Sequence, residues 1–510
     1  MKHILRYTRT RMQSGRREYW PGGIIRPALA ALMLLSLSAC AKTEKIAIYA
    51  TARSGGWLWS RPETDSGSEK GKTGGYAVLR KVYAREKNPK LAVDLGNWFS
   101  DTPEGYLTKG GAVVACMNTI PYAVSALGPE DLALSPTDLE KLVRASSFTV
   151  LASNLYLRNN KKPPFIKSQQ IVYAGGTRIG FLAITVMEPA KANVQRHLSN
   201  YKLEKESYEI ARSLKSLKDA GARVTVLLLS VNPKKQAGKD FYASFLDKLP
   251  RLDLVITDDP GLKKPLRVNR TWIVAVPHKI MSVARIELSF EPGTGRLVGI
   301  GSRNIRLERD KYGEDAATLE TVNSQRALIK RLFAKRVGAV ASDIRKSENS
   351  LSPLGNFTAD CVKRWAKSNA AIINNSVLGG DILKGPVTTG DLYRTLPFDT
   401  SVVFVKIRGS DLQRVMEETA SGDISVAGME IRMRGPALES MLIEGAPVKP
   451  DHIYRIAVPD SIVTDKDYSL LASATEFANS RRFLREVLGW CFSRQTVTPK
   501  PDLIRITRTK

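Results

Sequence analysis

From residue 44 to about 305, the chain repeats one pattern. A short apolar, β-branched run is followed by a stretch with apolar residues at helical spacing. KIAIYAT (45–51), KLAVDLG (90–96), FTVLASN (148–154), QIVYAG (170–175), RIGFLAITV (178–186), RVTVLLLS (223–230), LDLVITD (252–258) and TWIVAV (271–276) read as strands. GGYAVLRKVYAREK (74–87), PTDLEKLVRA (136–145), KESYEIARSLKSLKDAG (205–221) and KDFYASFLDKL (239–249) read as helices between them. Strands that are apolar on both faces need cover on both sides. The alternation therefore predicts a layered α/β domain with buried sheets. IMSVARIELSFEPGTGRLVGI (280–300) adds a hairpin turning at PGTG.

The rest of the chain divides without any long low-complexity tract. Residues 306–345 are polar and helical and suit a connecting helix, which leaves 346–510 as a second domain. That domain opens with the helix FTADCVKRWAKS (357–368) and continues with strands such as AAIINNS (370–376) and IYRIAV (453–458). Residues 1–39 differ from everything after them. RTRMQSGRREYWPGGIIR (9–26) is basic, PALAALMLLSLS (27–38) is a short apolar run, and LSAC ends at Cys40. This is the layout of a secretory signal, and twelve apolar residues are too few to span about 30 Å of hydrocarbon. The LSAC ending resembles the bacterial lipobox, which implies lipidation at Cys40. With Ala41 after it, the resemblance favours an outer-membrane anchor facing the periplasm.

Without residues 1–39, seven basic and one acidic side chain leave the totals of 78 and 50, so the net charge is +22. Such a surface favours anionic partners. In an envelope protein, lipid head groups, an anionic glycolipid or an envelope protein are the expected ones. No helix-turn-helix or zinc-finger pattern supports nucleic-acid recognition. Beyond Cys40 the cysteines are Cys116, Cys361 and Cys491, at long spacings and with no CxxC. The expectation is buried, small-hydrophobe roles rather than a disulfide scaffold or a zinc site.

One long segment is specific. SPLGNFTADCVKRWAKSNAAIINNSVLGGDILKGPVTTGDLYRTLPFDTSVVFVKIRGSDLQRVMEE (352–418) resembles the C-terminal domain of the 5′-nucleotidase family in order and spacing. Upstream, the strand at 44–50, VDLGNWF, LASNL, RIGFLAIT, VLLLS and LDLVITD resemble its metallophosphatase domain in outline. The resemblance implies an α-β-β-α sandwich over 40–305, a linker helix over 306–345 and a smaller α+β domain over 346–510. It also implies a two-metal site at the strand tips and a nucleotide grip in the second domain.

The family's metal ligands are replaced at every motif. Thr51 and Arg53 stand where Asp and His belong, and Asn97 stands for the Asp of Gly-Asp. Pro129 falls in the Gly-Asn-His-Glu motif, Val231 replaces the His of Ser-His, and Asp259 and Gly261 occupy the last motif. Val231, Pro129 and Gly261 offer no side-chain donor, and Arg53 repels a cation. The expected result is a binding or scaffold lipoprotein without metal-dependent phosphohydrolase activity and without a cofactor. The alternative is a phosphoesterase acting on 5′-nucleotides or related esters, with manganese or zinc held by oxygens of Asp94, Asn97, Glu130, Asp258 and Asp259. A third arrangement is metal-free binding of a nucleoside or phosphate, with Arg53 taking the place of a cation and only weak nucleoside or nucleotide affinity. In the second domain, Gly379 stands where the family has a substrate-contacting Arg. Phe398 keeps one stacking ring, or serves only in packing. Arg345 matches an Arg ahead of PLGN if three residues are inserted, and Asp467 keeps the family Asp.

Overall fold

The computed structural model describes residues 44–62, 71–186, 200–231, 239–292, 294–347, 352–419, 423–464, 474, 476–493 and 504–509. Cys40 and Asp467 lie outside them. Twelve strands build the sandwich of the first domain. They are β1 (Glu44–Thr51), β2 (Lys90–Asp94), β3 (Tyr122–Ala126), β4 (Thr149–Leu151), β5 (Gln169–Ala174), β6 (Thr177–Thr185), β7 (Val224–Ser230), β8 (Leu254–Thr257), β9 (Leu266–Val268), β10 (Thr271–Ala275), β11 (Ser282–Phe290) and β12 (Leu297–Arg306). Two six-stranded sheets result, ordered β12-β11-β1-β2-β3-β4 and β9-β10-β8-β7-β6-β5. The strands β1 to β4 pair in parallel, as do β6, β7, β8 and β10.

The double-sided apolarity of the strands is what closes the layers. Along β1, Ile46, Ile48 and Ala50 point between the sheets, where they meet Val93, Val124, Phe181, Val226 and Ile256. Ala47 and Tyr49 point the other way, beneath helices 76–84, 111–117 and 136–144. The outer face of the second sheet is covered by Ile210, Leu214, Leu217, Tyr242 and Leu246, from helices 206–219 and 239–247. The α-β-β-α sandwich is therefore as expected. The hairpin turns where the sequence places it, with β11 and β12 antiparallel.

The connection to the second domain is shorter than its expected range. A helix covers Ala316–Phe333, capped by the Asp315 side chain, which accepts the Thr318 N–H at 3.1 Å. Arg336–Val340 is already a strand, paired antiparallel with Gly385–Thr388, so 334–345 packs with the second domain. The helix touches both domains. Arg326 lies over the Trp59 ring at 4.7 Å, and Phe333 meets Tyr393 edge-on at 5.8 Å. The second domain holds a five-stranded sheet, ordered 424–427, 370–374, 453–459, 401–408 and 476–483, and a four-stranded sheet built around Met429–Arg434.

Cys361 and Cys491 correct an expectation. They form a disulfide, with Cα atoms 5.9 Å apart and a sequence separation of 130. Helix Leu484–Phe492 packs on helix Pro353–Ala366 and brings together two cysteines whose spacing carries no signal. Cys116 is buried and unpaired, as expected. Closing so long a loop restricts the unfolded chain by about 2–5 kcal/mol. Urea unfolding with and without reductant should differ by that amount, and the Cys361→Ser/Cys491→Ser protein should show no such difference. Identical curves would mean that the bond does not stabilise the fold.

Candidate functional site

The carboxyl ends of the parallel strands converge at one end of the sandwich, where an α/β sheet characteristically places its site. Arg53 follows β1, Asn97 follows β2, Glu130 follows β3, Val231 follows β7 and Asp258 follows β8. Arg53 and Asn97 both have left-handed backbones, with φ of 46° and 59°. Such conformations are uncommon away from glycine and cluster where structure over-determines the chain. Gly96, at φ 80°, is required here, because a Cβ would lie 2.2 Å from the Gly128 nitrogen.

The centre of this site is a guanidinium. Arg53 Nε donates to Asp258 Oδ2 at 2.7 Å, Nη1 to Glu130 Oε1 at 3.3 Å, and Nη2 to the Val231 carbonyl at 3.2 Å. Asp258 is fully buried and also accepts from Ser230 Oγ at 2.9 Å and Val231 N at 2.6 Å. Asn97 Nδ2 donates to Ser230 Oγ at 3.1 Å, and its Oδ1 accepts from Glu130 N at 2.9 Å. Glu130 is also bonded by Ser100 Oγ. Burial pulls the Arg53 guanidinium down, while Asp258 and Glu130 pull it up past its usual value. It therefore stays charged.

The structure sorts the expected residues. Thr51 turns away from the centre, donating to Asp94 Oδ2 at 2.7 Å and pairing with the Tyr122 hydroxyl at 2.8 Å. Asp94 accepts from Gly96 N, Trp98 Nε1 and Ser125 Oγ beneath the helices. Asp259 is capped by Gly261 N at 2.8 Å and the Tyr242 hydroxyl at 3.1 Å, so its neighbour Asp258 serves the centre instead. Pro129 opens the short 3-10 turn Pro129–Ala133, which presents Glu130. Val231 contributes only its backbone, a role that sequence cannot display. His278, which the sequence leaves outside the ligand set, brings Nε2 to 2.5 Å from the Asp258 carbonyl.

This donor set does not fit a divalent cation. Asp258 and Glu130, the carboxylates best placed to hold one, already hold a fixed cation. Among the described residues no group of three or more His, Cys, Asp or Glu side chains is placed to hold a metal. Nor does the centre suit phosphate, because Arg53 is outnumbered by its own two carboxylates.

Residues 333–472 match the family model described as 5′-nucleotidase, C-terminal domain. The second domain belongs to that family. Endonuclease YhcR of Bacillus subtilis is 20% identical over 76% of this chain, which spans about a third of that protein's length (34%). Metallophosphoesterase YunD of the same organism is 22% identical over 81% of this chain and 93% of its own. The 5′-nucleotidase precursor from Thermus thermophilus superposes with a TM-score of 0.55 at 18% identity, covering 91% of this chain and 99% of its own. The whole chain thus has the two-domain 5′-nucleotidase fold.

The 5′-nucleotidase C-terminal domain faces the sandwich across a cleft with two adjoining concavities. One, of about 400 Å³, is lined by Phe99, Tyr106, Leu134, Leu392 and Tyr393; the other, of about 220 Å³, by Tyr106, Tyr393, Phe398 and Asp399. Phe398 is 60% exposed in the cleft wall rather than packed into the core. Arg485 lines both concavities, but its charge is consumed by Asp399 and by the Leu396 and Phe398 carbonyls. Arg345 lines neither concavity and pairs with Asp343 at 2.7 Å and Asp381 at 3.6 Å. An arginine at Gly379 would bring its Cβ to 2.4 Å from the Arg394 carbonyl, so this backbone has closed over the family's contact.

Two buried carboxyls lie next to the centre. Burial pushes Asp94 up to about 6 and Asp131 up to about 7. The three backbone N–H groups that Asp131 accepts, from Asn97, Trp98 and Gly128, pull the other way. Both groups hold a proton more tightly folded than unfolded, so stability should fall as pH rises from about 4 through 6–7. Asp94→Asn preserves the geometry, because Thr51 can turn its proton towards Tyr122 and accept from the new amide. Unfolding free energies measured across that window should lose up to about 3 kcal/mol of pH dependence in this variant. An unchanged slope would show that Asp94 is not its source.

Proposed function

We propose that this chain is a binding protein on a 5′-nucleotidase scaffold, exported and lipid-anchored at Cys40, in which an internal ion pair stands in place of metal-dependent phosphohydrolase chemistry. The observation that carries the loss of chemistry is the Arg53 guanidinium seated between Asp258 and Glu130. A cation entering there would have to displace a buried charge that is already paired, and such displacement is strongly unfavourable. Export is supported by the signal-like leader and by the Cys361–Cys491 disulfide, a bond that persists in oxidising compartments.

The deciding assay uses the purified mature chain with AMP and a general phosphomonoester, comparing manganese or zinc with EDTA. The expected result is no turnover above the EDTA blank. Metal-dependent turnover that disappears in Asp258→Asn and Asn97→Ala would overturn the reading and establish the phosphoesterase alternative.

The cleft is the binding locus of this reading. Phe398, Tyr393 and Tyr106 present ring faces and edges around a concavity whose arginine is already neutralised, which favours a planar, uncharged ligand such as a nucleoside. One exposed stacking ring contributes about 1–3 kcal/mol. Adenosine titrated by calorimetry should therefore bind weakly, and Phe398→Ala should weaken it at least fivefold. Equal affinity in the two proteins would remove Phe398 from the site.

A further inference from the structure

The sandwich has a second end, and its chemistry is different. Since the carboxyl ends of the parallel strands meet at Arg53, their amino ends lie together at the opposite pole. That pole is about 26 Å away along the eight residues of β1. There, Arg251, Asp253, Arg267, Arg270, Trp272, Arg296, Leu297 and Val298 line a concavity of about 510 Å³. Arg251 and Asp253 lie just before β8, Arg267 in β9, Arg270 in the β9–β10 turn, Trp272 in β10, and Arg296, Leu297 and Val298 at the start of β12, so the fold gathers four arginines here.

Their charge is only partly answered. Asp253 lies 3.9 Å from Arg251, and its Oδ2 is engaged by Thr225 N and Oγ1. Glu291 lies 3.5 Å from Arg296 and accepts from Thr294 Oγ1 at 2.7 Å. Arg267 and Arg270 are exposed and have no carboxylate within ion-pair distance among the described residues. The Arg267 guanidinium lies over the Trp272 ring at 5.2 Å, and Val298 is 50% exposed on the rim. Arginine, an indole and an exposed aliphatic side chain on one face match the chemistry of the membrane–water interface.

The position of the amino terminus selects the occupant. Glu44 pairs with Phe290, immediately before the turn that carries Arg296, so β1 begins beside this basic concavity. Cys40 precedes Glu44 by four residues, at most about 14 Å of extended chain. A lipid on Cys40 would hold this pole at the bilayer surface and leave the cleft pointing away from it.

We propose that the arginine–tryptophan face at this pole docks on the anionic phospholipid head groups of the membrane to which the chain is anchored. The orientation rests on the lipid-anchor part of the proposed function; the affinity for head groups does not.

The test uses the full mature chain with Cys40→Ser, so that only the protein surface acts. It is sedimented with phosphatidylcholine vesicles, or with phosphatidylcholine mixed with phosphatidylglycerol, at low and high salt. Binding is expected only to the anionic vesicles and should weaken with salt. Each arginine near such a surface contributes about fivefold, so Arg267→Gln/Arg270→Gln/Arg296→Gln should lower partitioning about a hundredfold with unchanged thermal unfolding. Lys330→Gln/Arg331→Gln/Lys335→Gln, which removes equal charge from the linker region, should stay within about twofold of the unsubstituted protein. Equal loss in both variants would reduce the effect to net charge and overturn the proposal. So would vesicle binding by the arginine variant at the unsubstituted level, or saturation by inorganic phosphate without any vesicle binding. Palmitate labelling of the chain with its native Cys40 reads the anchor separately, so its failure is distinguishable from failure of the surface.

Discussion

The Arg53 ion pair is the contact on which the rest of this molecule depends. It joins the end of a strand in one sheet to Asp258 and the Val231 carbonyl in the other, at the end of the sandwich that holds the buried acid. Removing the guanidinium would strand Asp258, which has no exposure to water, at a cost of about 3–5 kcal/mol. Keeping it closes the pole with a cation that cannot dissociate. A metal can leave or be exchanged; a side chain cannot. The fixed charge sits among the left-handed turns at Arg53 and Asn97 and the close approach at Gly96.

Much of the architecture was legible because it follows from strand periodicity. Runs such as RVTVLLLS, apolar on both faces, can exist only in a covered sheet, and the alternating helices supply the cover. The PGTG hairpin was legible for the same local reason. The linker was less so, because pattern alone cannot show that Arg336–Val340 would find a partner in Gly385–Thr388, about fifty residues on. The disulfide was not legible at all. Cys361 and Cys491 meet only because two helices cross, and that proximity is a product of the finished fold.

The site divides in the same way. The loss of donors at Val231, Pro129 and Gly261 could be read from residue type, and Arg53 could be read as hostile to a cation. What the type could not give was direction. Asp259 occupies the motif position, yet it is spent on Gly261 N and Tyr242, while Asp258, one residue earlier, faces the centre. Thr51 likewise points beneath the helices to Asp94 and Tyr122. Neighbouring residues at a strand end face opposite ways, and only the backbone decides which of two adjacent acids is used. Phe398 is the converse case: an aromatic with an ordinary packing role available, left standing in the cleft by its place on the loop after helix Thr389–Thr395.

The two poles of the sandwich follow from one property, the parallel course of its central strands. Parallel strands deliver their carboxyl ends to one side and their amino ends to the other, so residues at strand starts cannot contribute to the Arg53 centre. They are free of the constraint that shaped it. At the carboxyl pole the two acids outnumber the one arginine, with Asp258 buried and Glu130 largely so. At the amino pole the arginines outnumber the acids and are exposed. Charge separated along the strand axis in this way gives the domain a direction, and a short tether at the start of β1 would turn that direction into an orientation at a surface. The strand course that brings Arg53, Asn97, Glu130 and Asp258 together at one end thereby also determines which face the other end can offer.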